Sequence, residues 1–272
     1  MIKLVAIDID GTLVNEEKIM TEKVKNTIHK AMDQGIKIVI CTGRPIEGIK
    51  PYLEELGMFK EDDFVISQNG AVITRTDTGE IIEMWPFENE SIKELYAFGK
   101  DFSADFLIMN EEHFYLITSD EETVAIRPAL QGEGETVRMA VETTTLANLK
   151  GDYVKALFFG DTAEIDEVEA ALPAEFRQLF SVTRSQDYLL EMGAKGINKG
   201  TALMKLAEDL GIKRDEVMAI GDGNNDYEMI QAAGLGVVME NGTDYLKSVA
   251  KEMTLSNEND GVAHALEKFV LR

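Results

Sequence analysis

The sequence predicts an α/β protein in which a doubly wound parallel sheet carries an inserted α+β domain. Between residues 2 and 67, apolar strand-like runs alternate with amphipathic helical ones, and the same alternation resumes after residue 198. Repeated strand–helix–strand units of this kind build a parallel sheet with right-handed crossovers. The stretch between them has a different texture, with short strands, hairpin-like turns and helical segments in no regular order. The expected organisation is a core of residues 1–83 and 189–272 and an insertion of residues 84–188.

The first strand is the apolar run 2–9, with β-branched Val5, Ile7 and Ile9, broken by Gly11. A helix follows from a Thr21 cap to residue 34, with Val24, Ile28, Ala31 and Met32 on one face and Gly35 at its end. A strand at 37–41 leads to a second helix that starts at Pro45, a favoured first helical position. This helix carries Ile46, Ile49, Leu53 and Leu56 and stops at Gly57. A third strand covers 64–67. Strands at 72–74 and 80–85 flank an Asp77-Thr78-Gly79 turn and predict a β-hairpin leading out of the parallel sheet. In and at the border of the insertion, strands are expected at 106–109, 114–118, 154–159 and 189–192. The resumed pattern predicts a helix at 199–210, a strand at 217–220, a helix at 225–233, a strand at 235–238 and a last helix ending near 269.

Lys plus Arg number 27 and Asp plus Glu 50, a formal charge of −23. That balance opposes binding to nucleic acid or to an anionic membrane surface. A small phosphorylated substrate remains compatible, because salt screens charges beyond about 8 Å and a local cation can dominate a pocket. The same acidity favours a bound divalent cation. The 44% hydrophobic and 28% charged fractions, with five Pro, describe a globular chain without a long disordered region. Met1-Ile2-Lys3-Leu4 runs straight into the first strand without a charged leader, and no apolar stretch is long enough to span a bilayer, so a cytoplasmic location is expected. The single cysteine, Cys41, agrees with a reducing compartment and, ending an apolar run, reads as a buried strand residue rather than a catalytic thiol. Monomer and homodimer both fit this composition.

Chemistry concentrates at predicted strand ends. Asp8-Ile9-Asp10-Gly11-Thr12 puts two carboxylates two positions apart where the first strand gives way to a turn. In an open α/β sheet, ligands bind in the crevice at the carboxyl ends of the strands, so one acid can attack and the other can move protons. Cys41-Thr42-Gly43-Arg44 follows the second strand and offers a hydroxyl and helix-start amides to an anionic oxygen; the plain alternative is a capped turn. Gly221-Asp222-Gly223-Asn224-Asn225-Asp226 follows the strand at 217–220, and Asp8, Asp10 and Asp222 together suffice for Mg²⁺, which takes one or two carboxylates plus water and phosphate. The segment lacks the Gly of a calcium loop, whose place Tyr227 holds, and the third Gly of a dinucleotide fingerprint, where Asp226 stands. Lys199 sits at a predicted helix start, an unusual place because the positive helix end repels it. It reads either as a solvated surface side chain or as a point charge for a phosphate, and Lys195 is a rival for the second role.

Taken with Gln68-Asn69-Gly70-Ala71 and Asn259-Asp260-Gly261-Val262, these segments span nearly the whole chain and resemble the haloacid dehalogenase-like phosphatases. Within that family they resemble the Cof-type branch, which includes the YidA-like sugar phosphatases. The resemblance implies a Rossmann-like core and an αββ-rich cap between the second and third motifs. It implies a Mg²⁺-dependent phosphatase acting on small phosphorylated metabolites, sugar phosphates among them. Asp8 would attack phosphorus to form an aspartyl-phosphate, and Asp10 would protonate the leaving oxygen and then deprotonate water. Asp8, the Asp10 carbonyl and Asp222 would hold the metal. Ile9, Thr42, Gly43, Lys199 and Asn225 would bind phosphoryl oxygens, and Asp226 would orient Lys199 or a metal-bound water. Arg44 and Asn69 read either as substrate contacts or as plain helix-start and turn residues. The alternatives are a phosphotransferase or mutase using the same intermediate and a phospho-accepting signalling module.

Overall fold

The computed structural model describes residues 1–119, 126–136 and 139–271. Its chain runs β1 (Leu4–Ile7), α1 (Glu22–Asp33), β2 (Lys37–Cys41), α2 (Lys50–Leu56), β3 (Phe64–Ser67), β4 (Val72–Arg75), β5 (Ile81–Met84), α3 (Asn89–Gly99), β6 (Asp105–Met109), β7 (His113–Thr118) and α4 (Pro128–Thr136). It continues through β8 (Ala140–Thr145), β9 (Lys155–Phe159), α5 (Thr162–Ala171), α6 (Ala174–Leu179), β10 (Phe180–Gln186), β11 (Leu189–Ala194) and α7 (Lys199–Asp209). Last come β12 (Val217–Gly221), α8 (Tyr227–Ala232), β13 (Leu235–Val238), α9 (Asp244–Lys247), β14 (Glu252–Met253) and α10 (Gly261–Phe269). The chain divides into two compact units. One comprises Met1–Gly43, Lys50–Glu83 and Asn198–Arg272, and the other Arg44–Ile49 and Met84–Ile197. No helix among the described residues is long and apolar enough to cross a membrane.

The first unit is built on an eight-stranded sheet of order β14-β13-β12-β1-β2-β3-β4-β5. From β14 to β3 neighbouring strands are parallel. All four residues of β1 are fully buried, as a strand covered on both faces must be. The helix α1 follows its sequence signals: the Thr21 hydroxyl accepts from the Val24 amide at 3.2 Å, and Val24, Thr27, Ile28 and Ala31 face inward. Strands β2, β3 and β13 have the bounds expected of them.

The differences have local causes. The helix expected from Pro45 is a single 3-10 turn, Ile46–Gly48, followed by a fresh start at Lys50. Restarting there puts Pro51 in a first turn, where its missing amide and its ring cost no helical hydrogen bond. The helix expected over 225–233 likewise opens as a 3-10 turn, Asn224–Asp226, because the Asp226 carboxylate folds back onto the amides of Asp222 and Gly223. The hairpin does not leave the sheet. The link from β3 to β4 is far shorter than the dozen or more residues a parallel crossover needs, so β4 runs antiparallel beside β3 and β5 extends the same sheet. The border expected at 188/189 lies at Ile197/Asn198, since β11 pairs with β9 and β10 of the second unit. The insertion expected over 84–188 also takes in positions 120–125, 137 and 138, which lie outside the described residues.

The second unit has its own sheet, of order β10-β11-β9-β6-β7-β8, antiparallel except between β7 and β8. Alternation sorts its side chains. Phe106, Ile108, Ala156, Phe158, Leu190 and Met192 pack with Ile92 and Leu95 of α3 and Ile165 and Val168 of α5. Leu107, Met109, Phe114, Leu116, Leu157 and Phe159 pack with Leu130 of α4.

In the first unit, the turn Gln68-Asn69-Gly70 runs with φ of 53°, 57° and 96°. A Cβ on Gly70 would overlap the carbonyl of Asn198 at the start of α7. Gly70→Ala should therefore destabilise the protein by about 2 kcal/mol or more. Circular dichroism melting should show this as a fall in midpoint of roughly 4–8 °C.

Candidate active site

Asp8 stands directly after β1, its amide donating to the Ile220 carbonyl of β12 at 3.1 Å, so the sheet itself carries the carboxylate to the strand end. Gly11, at φ 82°, lets the following turn pass against Asp222, where a Cβ would overlap the carboxylate. The Thr12 hydroxyl donates to Asp222 Oδ1 at 2.6 Å. Lys199 is the first residue of α7, behind an Asn198–Thr201 capping box, and its side chain is fully buried. Its ammonium donates to Asp8 Oδ1 at 2.6 Å and to Asp226 Oδ1 at 2.7 Å. The second Asp226 oxygen accepts from the amides of Asp222 at 3.0 Å and Gly223 at 2.9 Å.

Three carboxylates, those of Asp8, Asp222 and Asp226, thus lie with ligand atoms within 4.8 Å of one another around one ammonium. Burial pushes the Asp8 carboxyl well above its ordinary value, and the Asp226 charge adds to this against the opposing pull of Lys199. The Asp222 carboxyl is pushed up to about 6, first by burial; the Thr12 hydrogen bond opposes the shift and the Asp226 charge adds to it. Burial alone would pull Lys199 down, but the charges of Asp226 and Asp8 outweigh it and hold the ammonium above its usual range. The protein alone is therefore short of positive charge here. Hard, anionic oxygen donors with a charge deficit fit a divalent cation. Asp226 has both carboxylate oxygens engaged, one by Lys199 and the other by two amides, whereas one oxygen of Asp8 accepts from Lys199 and one of Asp222 from Thr12.

A second cluster forms beside β2. Thr42 is 1% exposed; its amide donates to the Ile66 carbonyl and its carbonyl accepts from the Asn69 amide, both at 2.9 Å. The Asn69 side-chain oxygen accepts from Asn225 Nδ2 at 3.0 Å and lies where a Cβ on Gly43 would come within 2.9 Å of it. Thr42, Gly43, Asn69 and Asn225 are thereby brought together. Ile9 is fully buried, so its main chain is what it offers. Asp10 turns its half-exposed carboxylate to Lys18, 2.7 Å away. Arg44 falls in the second unit, where its guanidinium donates to the Gly48 carbonyl at 3.5 Å. Lys195 is also in that unit and donates to the Arg177 carbonyl at 2.6 Å. Cys41 is buried at the end of β2, and burial holds its thiol far above the usual range, as suits a strand residue.

Sequence reasoning gave no role to Thr12, Lys18 or the polar turn Asn241-Gly242-Thr243. That turn follows β13; Asn241 donates to the Gly11 carbonyl at 2.8 Å and Thr243 to Asn224 Oδ1 at 2.8 Å. The strand-end rule used for the other loops would have found it. The closing motif braces α1, with the Thr21 hydroxyl donating to Asp260 Oδ1 at 2.6 Å.

A family model of haloacid dehalogenase-like hydrolases matches residues 5–266. The chain belongs to that family. The Bacillus subtilis 5-amino-6-(5-phospho-D-ribitylamino)uracil phosphatase YcsE is 32% identical over 99% of this chain and 96% of its own length. A haloacid dehalogenase-like hydrolase from Bacteroides thetaiotaomicron superposes with a TM-score of 0.86 at 34% identity, covering 98% of this chain and 99% of the other. The subclass IIB sugar phosphatase BT4131 superposes with a TM-score of 0.80 at 25% identity, covering 98% of each. As a member of this family with phosphatase relatives, the chain is a phosphatase.

The raised Asp222 carboxyl gives a signed pH dependence. Its contribution to the stability of metal-free protein is complete below the ordinary 3.8 and is lost as pH rises through about 6. Asp222→Asn should therefore stabilise chelator-treated protein by roughly 1–3 kcal/mol at pH 7 and by little at pH 4. Urea denaturation at the two pH values checks this.

Proposed function

We infer that the protein hydrolyses phosphomonoesters of small metabolites, sugar phosphates among them, in a Mg²⁺-dependent reaction through an aspartyl-phosphate on Asp8. The observation that carries this is the Lys199 ammonium held between Asp8 and Asp226 at the head of β1. It keeps a buried carboxylate fixed and partly neutralised beside Thr42, as an anion attacking another anion requires.

Asp8 attacks phosphorus in line, and the leaving oxygen departs with a proton from Asp10. The same Asp10 carboxylate then takes a proton from the water that cleaves the acyl phosphate. Its pair with Lys18 is half-exposed, and such pairs are worth only about 0–1 kcal/mol, so Asp10 can turn away from it at little cost. The Thr42 hydroxyl, the main-chain amides of Ile9 and Gly43, Lys199 and Asn225 supply donors to the phosphoryl oxygens. Asn69 fixes Asn225, and Asp226 fixes both Lys199 and the Asp222 loop. Asp8, the Asp10 carbonyl and Asp222 would hold Mg²⁺, which when bound supplies the missing positive charge and lowers the repulsion between nucleophile and phosphate. The named activities of YcsE and BT4131 support small phosphorylated polyols and sugars as the substrate class.

Asp8→Asn should abolish phosphate release with the circular dichroism spectrum unchanged, and Asp10→Asn should lower kcat by roughly 10²- to 10⁴-fold. Retained turnover in pure Asp8→Asn protein would remove Asp8 as the nucleophile. Activity should vanish in EDTA and return on adding Mg²⁺, followed as phosphate released from a panel of phosphorylated metabolites; indifference to chelation would refute the metal assignment.

A further inference from the structure

We propose that Gln68, together with Ser67, is a specificity-determining contact to the leaving group of the substrate. The proposal rests on the phosphatase reading above. Gln68 is 2% exposed and Ser67 0% exposed, yet neither the carboxamide nitrogen nor oxygen of Gln68, nor the Ser67 hydroxyl, has a hydrogen-bond partner among the described residues. Buried polar groups are nearly always paired, so two adjacent exceptions point to a partner outside the chain. Their place in the fold says where that partner lies. The Thr42 amide bonds to Ile66 and the Thr42 carbonyl to Asn69, so residues 67 and 68 are the span that arches past the phosphate-binding Thr42. Gln68 is also held at φ 53°, in the left-handed region that a long side chain disfavours. Strain of this kind is retained where the position of a side chain matters. Low exposure does not separate Gln68 from the reaction, because Asp8 at 6% and Thr42 at 1% share it. The chemistry is also selective: a neutral carboxamide presents two donors and an acceptor, and a hydroxyl both donates and accepts. The groups suited to Gln68 and Ser67 are therefore the hydroxyls of a polyol or sugar carried on the scissile phosphate.

The test compares wild type, Gln68→Met and Ser67→Ala on hydroxyl-bearing esters, glycerol phosphate and a hexose phosphate, and on p-nitrophenyl phosphate, whose leaving group bears no hydroxyl besides the scissile oxygen. The readout is the ratio of kcat/KM between the two classes. Gln68→Met should lower that ratio roughly 10- to 100-fold, mainly through KM, and Ser67→Ala should lower it less. The melting temperature of Gln68→Met should not fall, because methionine of similar length removes the unpaired polar atoms. An unchanged ratio, whether the rates fall together or stay level, overturns the proposal, as does a marked loss of thermal stability in Gln68→Met. Wild-type protein that releases phosphate from none of these esters would instead defeat the phosphatase reading, and this contact with it.

Discussion

The site depends on a buried ammonium. Lys199 leaves water completely, which is costly for an ion, and it does so at the helix end whose dipole opposes it. Only two carboxylates at 2.6 and 2.7 Å make that position tenable, and each is fixed in turn. Asp8 is fixed by the pairing of β1 with β12, and Asp226 by the two amides of its own loop. Removing Lys199 would leave buried carboxylates uncompensated, so the constraint binds three distant chain segments at once. The arrangement also explains why the site has charge to spare: one ammonium cannot satisfy three carboxylates, and the Asp226 charge adds to the burial that raises Asp8 and Asp222.

Much of this was legible in the sequence because the relevant signals are local. The β-branched run before Asp8, the Thr21 cap and the Gly35 stop each act within a few residues, and α1, β2, β3 and β13 formed where those signals placed them. Asp8, Asp222 and Lys199 were readable because a doubly wound sheet delivers every strand end to one crevice, whatever the order of strands. What escaped was set by contacts across the chain. The helix that Pro45 is well suited to open starts instead at Lys50, with Pro51 in its first turn, and Asp226 tightened a turn through bonds no periodicity records. Thr12 and Asp222 are 210 residues apart in sequence, and their hydrogen bond follows only from the adjacency of β1 and β12. Lys18, which pairs with Asp10, adopts a φ of 62°, a conformation that its residue type gives no reason to expect.

The turn between β3 and β4 joins architecture to chemistry in a different way. Its three successive left-handed residues reverse the chain so that β4 runs antiparallel, and they also set Asn69 between Thr42 and Asn225. One irregular stretch therefore ends the parallel half of the sheet and lines the polar cluster of Thr42, Asn69 and Asn225. Asparagine tolerates its φ of 57° better than most residues and uses its side chain to fix a neighbour.

The interrupted core also has a kinetic consequence. Strand β1 lies between β2, which is synthesised soon after it, and β12, which emerges about two hundred residues later. On the ribosome, the first half of the sheet must wait with one apolar edge unpaired while the entire second unit is made. During that wait Asp8 has neither Lys199 nor the β12 backbone beside it. The charged cluster is thus among the last parts of the molecule able to form, and its assembly closes an edge that would otherwise invite pairing with another chain.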